Sequence, residues 1–504
     1  MKKQFLLIAS LVFIASAAFG GGIVTNTNQS AYWVRTLVRD AAIGPDAVYF
    51  NPAGLTKLED GFHFSLNTQT ILQNKDVTRD YDLLIPNPKT FEGDVLAPVF
   101  PGFYATWKKS KIAVSFGFNP IGGGGGAEYE KGLPSFESQL TSLVPLLQQL
   151  GGLADGALSA APPNGYGFDP NFKNVTGYSA DIYFKGTSVF FGYQLGLTYD
   201  ISKVFSVYLG GRLVTAKNTY EGHINDIQIQ ASPTVPPVPL YDLPPGSYTP
   251  GDYVYGISEA TGIKGSAYEA TFKGVSAMLD VQTADRAVDV EETGTGFAPI
   301  IGVNIAPNEK INIGLKYEFK TKMDLTTEII DDKDGGLFNQ DSTVHSDMPA
   351  MLSVGIEYKV LPKLTASAGF HYYWDKSANY GKTLDAEPTE PVGNDEVIDD
   401  NFFEFALGLE YAITEKLLIS AGYLHANTGV SEDYQSDLSY SLTSNTLGGG
   451  LGYKITEKIM VNLGGAYVTY QEGTKTVGDP DAGGYTDTLY KDSLFFGLGV
   501  DLRF

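Results

Sequence analysis

The sequence predicts an all-β chain: a transmembrane antiparallel β-barrel of about fourteen strands, its lumen plugged by the chain's own N-terminus. Three observations predict it. A short Lys-bearing turn recurs six times, each between runs in which every second residue is apolar. These turns are tight and alike, whereas the connections between them are long and unlike. The chain closes on "SLFFGLGVDLRF", which sets Phe496, Leu498, Val500, Leu502 and Phe504 on one face of a last strand.

The first twenty residues, "MKKQFLLIASLVFIASAAFG", put two Lys before a short apolar run and then small residues. That is the pattern of a secretory signal, cut after Gly20, and it is too short for an anchor. Beyond it no apolar run is long enough for a transmembrane helix. Residues 21–60 show no sustained alternation, yet they carry Tyr32, Trp33, Val34, Leu37 and Val38, which favour burial. A segment of this size at the end of a barrel either hangs outside or folds in, and burial favours a plug. Within it, "AYWVRTLVRDA" predicts a short helix ended near Gly44-Pro45.

The strands follow from the repeats. "EYAITEKLLISAG" (410–422) returns as "GYKITEKIMVNLG" (452–464), with looser copies beginning at Trp107, Tyr199, Ile305 and Tyr358. Two alternating runs joined by a few turn-forming residues make a β-hairpin. Their irregular spacing rules out a solenoid. Six hairpins supply twelve strands; "GFHFSLNTQTILQN" adds one before them and residues 486–504 one after. After the Lys310 turn, Ile311, Ile313, Leu315, Tyr317 and Phe319 alternate with Asn312, Gly314, Lys316, Glu318 and Lys320. An apolar face opposite a polar, Gly-rich one suits lipid outside and a wet or plugged lumen within. Closure pairs every backbone group, which lipid makes obligatory.

Composition narrows the function. With 504 residues, a net charge of −23 and no Cys, the chain offers no basic surface for nucleic acid and no thiolate metal site. The acidic stretches "DDKDGG", "GNDEVIDDN" and "GDPDAGG" read as solvated loop tips, with a cation site as the alternative. Five His are scattered without ligand or catalytic spacing, so no enzyme, metal or cofactor is expected. The barrel (residues 61–504) follows the plug (21–60), and long extracellular loops are expected at about 121–185 and 221–292.

Within the plug, "DAVYFNPAGL" resembles the end of the N-terminal hatch in the FadL/TodX family of outer-membrane transporters for hydrophobic compounds. The family's Asn-Pro-Ala element falls on Asn51, Pro52 and Ala53. "FNPIGGGGGAEYEKG" resembles the family's Pro-Phe-Gly stretch, with Ile121 where Phe is usual. The resemblance implies a fourteen-stranded outer-membrane barrel that imports long-chain fatty acids or similar hydrophobic molecules passively, through an opening in its wall. It would work as a monomer among outer-membrane lipid and lipopolysaccharide. The alternative is a structural or adhesin-like barrel that binds another ligand through its loops.

The residues themselves suggest where a molecule would pass. Pro120 has no N–H for a ladder, and Asn119, Gly122, Gly123 and Gly124 lie around it, so a break in the third strand is expected here. In the first long loop, Phe136, Leu140, Leu143, Leu147 and Leu150 keep helical spacing, with Pro145 dividing or kinking the helix. Their apolar face either packs on another loop or forms a groove for an apolar ligand. Arg212, Lys316 and Lys320, with Arg35 and Arg39 of the plug, are candidate lumenal cations for a carboxylate; pairing with Glu318 or plug carboxylates is the competing fate.

Overall fold

The computed structural model describes residues 22–159, 171–233, 243–260, 263–333, 339–384 and 387–504, so the signal sequence expected over 1–20 lies outside it. Fourteen strands form the wall: β1 (Gly61–Asp80), β2 (Asp94–Lys109), β3 (Ile112–Tyr129), β4 (Val175–Asp200), β5 (Phe205–Ala231), β6 (Arg286–Asn308) and β7 (Ile311–Glu318). They continue with β8 (Met351–Leu361), β9 (Leu364–Tyr373), β10 (Phe403–Ala412), β11 (Leu417–Asn427), β12 (Ser444–Thr456), β13 (Ile459–Tyr470) and β14 (Tyr485–Arg503). Each pairs antiparallel with the next, and β14 returns to β1 from Arg503↔His63 to Thr486↔Asp80, which closes the barrel. The six Lys-bearing turns all fall at one end, where the connections are shortest.

Outward faces carry the exposed apolar side chains. On β1 these are Phe62, Leu66 and Leu72; on β14 they are Phe496 and Leu498. Above Leu72 the same face turns polar at Asn74, Asp76 and Thr78, which marks the outer limit of the hydrocarbon band. Strands β4 and β5 run to 26 and 27 residues, against about 10 needed to cross a bilayer. The expected loops at 121–185 and 221–292 are therefore shorter than read. β3 holds 121–129, β4 starts at Val175, β5 runs to Ala231 and β6 starts at Arg286. Alternation continues past the membrane with polar rather than apolar outward residues, so hydropathy hid it.

Residues 22–58 are mostly buried and touch the inner face of the wall all round. The Ala31 N–H donates to Asn67 of β1 (3.0 Å), the Ser353 hydroxyl of β8 to Asp40 (2.8 Å), and the Arg35 Nε to Asn462 of β13 (3.1 Å). Helix α1 (Ala31–Thr36) starts on Ser30, whose hydroxyl accepts from the Trp33 N–H. It ends well before Gly44, because Leu37 turns left-handed (φ 58°) and sends Val38, Arg39 and Asp40 to the wall; a single turn, α2 (Ala47–Phe50), follows. Inward glycines make room. A Cβ on Gly314 would lie 2.1 Å from the Asp40 carbonyl oxygen, and one on Gly422 would lie 2.2 Å from that of Thr36.

On the long-loop side, α3 (Pro134–Thr141) and α4 (Leu143–Ser159) pack with α5 (Pro250–Glu259) and α6 (Glu269–Gln282). The helix divides at Ser142, which leaves Pro145 in the first turn of α4, where its missing N–H costs nothing.

Candidate functional site

One pair of neighbouring strands comes apart within the wall and rejoins. β2 and β3 pair from Lys109↔Ile112 to Phe103↔Phe118, part, and meet again at Leu96↔Gly126. Between them residues 97–102 and 119–125 share no ladder. Three prolines supply the reason: Pro98 and Pro101 on β2 and Pro120 on β3 have no N–H to donate. β3 stays paired with β4 through this stretch, but with two register shifts, at Pro120/Gly122 and Gly123/Gly125. The break thus opens on the β2 side alone. Outside it stand Leu96 and Val99, both exposed, and the stacked rings of Phe118 and Phe191 (centroids 5.6 Å).

The start of the N-terminal segment lies against the break from within. The Asn26 N–H donates to the Ile121 carbonyl (2.8 Å), the Gln29 amide to the Pro120 carbonyl (2.8 Å), and the Asn26 side chain to the Gly123 carbonyl. Thr25 bridges Gly122 in antiparallel fashion. From the wall, the Asn119 amide donates to Gln29 Oε1 (2.6 Å) and the Tyr104 hydroxyl to the Gln29 carbonyl (2.8 Å). Residues 25–29 thus stand in for the missing partner of β3. Gly123 adopts φ +65°, and a Cβ there would lie 2.1 Å from the Ser188 carbonyl oxygen, so this glycine serves the bulge itself. Gly124 lies in the same stretch of β3.

A cavity abuts the break on its inner side. Ile121, Met348, Met351, Phe319 and Thr25 line it, with Tyr49 and the Arg212–Glu318 pair as its polar part. Polar and apolar groups share its wall about equally, and at about 20 Å³ it has room for roughly one water.

The Asn51-Pro52-Ala53 corner ties the N-terminal segment to the strands that follow β3 in the wall. The Asn51 amide donates to Asn304 Oδ1 of β6 (2.8 Å) and to the Ala42 carbonyl (3.2 Å). The Pro52 carbonyl accepts from Thr198 of β4 (2.7 Å) and the Ala53 carbonyl from Ser206 of β5 (2.6 Å).

The five cations considered for a carboxylate all have partners. Arg212 (2.5 Å) and Lys316 (2.7 Å) share Glu318, Arg39 pairs with Asp46 (2.7 Å), and Arg35 pairs with Glu410. Lys320 lies past the end of β7, not on its inner face; it is 3.7 Å from Asp347 and donates to the Ser377 carbonyl (2.7 Å). Buried charge demands a counter-charge, and the chain supplies its own. The five apolar helix residues are occupied by packing. Leu140, Leu143 and Leu147 are buried against the α5–α6 insertion, Leu150 is partly so, and Phe136 sits edge-on to Phe184 (centroids 5.5 Å). Sequence reasoning missed Thr25, Asn26, Gln29 and Tyr104. It also passed over Pro98 and Pro101, which signalled a strand without a neighbour.

Three comparisons with known proteins place this geometry. A family model described as "Outer membrane protein transport protein (OMPP1/FadL/TodX)" matches residues 165–504. No curated protein matches significantly. Among solved structures, a Pseudomonas aeruginosa FadL homologue superposes with a TM-score of 0.59 at 13% identity, covering 96% of this chain and 100% of the other. The P. putida toluene transporter TodX gives 0.53 at 11% identity, with 96% and 100% covered. The Ralstonia pickettii toluene transporter TbuX gives 0.50 at 14%, with 95% and 99% covered. These likenesses speak for the fold, while the family model reaches the sequence itself over most of its length. The chain therefore belongs to the OMPP1/FadL/TodX family of outer-membrane transport proteins, transporters rather than enzymes, and is an integral barrel of the outer membrane.

Proposed function

We propose that the protein takes up long-chain fatty acids or comparably apolar molecules by passive diffusion and releases them sideways into the membrane. The observation that carries this reading is the break between β2 and β3 at the level of the hydrocarbon band. An apolar molecule gains nothing from a watery pore, but it gains about 25 cal/mol for each Å² of surface moved into lipid. The small cavity behind the break and the apolar rim in front of it mark the direction of a path from lumen to lipid. Residues 22–60 act as the hatch, with residues 25–29 as its seal on the break and Asn51-Pro52-Ala53 as its fixed corner. The barrel closes within one chain, which supports a monomer, and its apolar band supports lipid and lipopolysaccharide as its surroundings. That two of the similar barrels are named toluene transporters supports a hydrophobic cargo as a class.

Filling the break tests the reading. Gly123 is a poor place to do so, since its left-handed backbone would be strained by any side chain. Ala97, buried at the inner edge of the break on β2, is better. Ala97→Phe should keep the heat-modifiable folded barrel and lower uptake of a labelled long-chain fatty acid at least tenfold. A folded variant that transports at the unmodified rate would remove the lateral path.

A further inference from the structure

One side chain of the wall is claimed by two carboxylates. His371, on the inner face of β9, sets Nε2 2.6 Å from Asp40 of the N-terminal segment and Nδ1 against Glu404 of β10. All three side chains are buried. A neutral imidazole has one donor and one acceptor, so it can donate to only one of the two. Both contacts are hydrogen bonds only when the trio holds one proton more than a neutral imidazole between two carboxylates. Without that proton a nitrogen lone pair faces a carboxylate oxygen, and two buried negative charges lose their counter-charge.

The wall is shaped around Asp40. Gly314, Gly355 and Gly369 are in register across β7, β8 and β9. A Cβ on Gly355 would lie 2.4 Å from the Asp40 Cβ, and one on Gly369 would lie 2.1 Å from its Oδ2. One row further along the inner face, Ser353, His371 and Glu404 are in register across β8, β9 and β10. The Ser353 hydroxyl donates to Asp40 (2.8 Å). Neighbouring groups do not replace the proton. Lys316 of β7 also faces Asp40, but its ammonium is held by the Tyr49 carbonyl and Glu318, both at 2.7 Å. The Tyr373 hydroxyl of β9 reaches Glu404 only at 3.4 Å, and Glu404 Oε2 is buried without a partner among the described residues. Tyr49 of the N-terminal segment lies near both carboxylates and is an acid itself.

The three groups are not equally free to part. His371 and Glu404 stand opposite each other on a ladder that the closed barrel keeps in register. Asp40 belongs to the stretch between α1 and α2, which no ladder ties down. We propose that one proton shared among Asp40, His371 and Glu404 latches this stretch to the wall, and that its loss frees residues 38–42 from β8 and β9. Removing a proton favours release and never seating, so a rise in pH loosens the stretch and a fall reseats it. The segment remains held at the Asn51 corner and through Gln29, so the latch governs one part of it. The inference uses only the position of the segment in the lumen and is independent of what the barrel carries.

Hydrogen exchange over residues 38–42 tests it, on the full barrel in lipid nanodiscs from pH 6 to pH 9 and corrected for the intrinsic chemical rate. A one-proton link allows up to about tenfold per pH unit. Exchange should rise at least tenfold across the range while β8, β9 and β10 keep their protection. Asp40→Asn is the discriminating variant. Its amide donates to Nε2 while the Nδ1–H serves Glu404, so a neutral imidazole satisfies both sides and the stretch should stay seated at every pH. Glu404→Gln makes the same exchange at the other nitrogen and serves where Asp40→Asn fails to fold. A contact that was only structural would weaken in Asp40→Asn at every pH. Flat protection in the unmodified barrel overturns the latch. So does equal acceleration of the wall strands, or a pH dependence that survives in folded Asp40→Asn or Glu404→Gln.

Discussion

Replacing Asn51 by Ala should loosen the N-terminal segment without opening the barrel. Asn51 contributes no rung to any ladder; its side chain makes two hydrogen bonds, to Asn304 and to the Ala42 carbonyl. Asn304 Oδ1 keeps a second donor, Asn312 Nδ2 at 2.9 Å, so only the Ala42 carbonyl loses a partner outright. Two buried hydrogen bonds at about 1 kcal/mol each make the loss about 2 kcal/mol, roughly thirtyfold in the docked-to-undocked ratio. Hydrogen exchange read by mass spectrometry on the purified barrel measures it. Peptides spanning 39–58 should exchange about thirtyfold faster, while those of β1 and β14 and the heat-modifiable band stay unchanged. Unchanged protection over 39–58, or equal loss from the segment and the wall, would refute the idea that this corner is a separate anchor.

Gly422→Val should have a larger effect on the same segment, since its Cβ meets the Thr36 carbonyl at 2.2 Å and backbone on both sides prevents relief. Exchange over residues 31–38 should rise at least a hundredfold while the barrel still folds in vesicles. On the loop after β9, burial pushes the Asp375 carboxyl up to about 6 from its ordinary 3.8. The folded state thus prefers the protonated acid. Its contribution to loop stability is fully present below about pH 4 and is lost as pH rises through 6, by about 3 kcal/mol. Exchange over residues 375–402 should accelerate across that window, and Asp375→Asn should flatten the dependence.

The barrel was legible because lipid leaves a chain few choices. A span without helices long enough to cross must pair all its backbone groups, and period-two alternation with six like turns reports that pairing residue by residue. Hence strand number, sidedness and the tight-turn end could be read from "ITEK" and its relatives. The break in β3 was legible in part, since Pro120 and the glycines after it speak against a ladder. Its other edge lay 20 residues upstream in "APVFPG", where Pro98 and Pro101 read as ordinary irregularity until β2 was known to be their strand. The helices α5 and α6 went unread because prolines just before them dominated that stretch.

Alternation therefore sets which side chains point inward, because the pleat is local and has a period of two. What an inward side chain meets is not local. Lys316 and Arg212 are 104 positions apart in sequence, yet they share one carboxylate, Glu318, so cations that alternation offered to a ligand are already neutralised. Lys75 and Lys491 lie at opposite ends of the chain and become neighbours only when the last strand closes on the first. Closure, not any local pattern, decided that these two ammonium groups face each other.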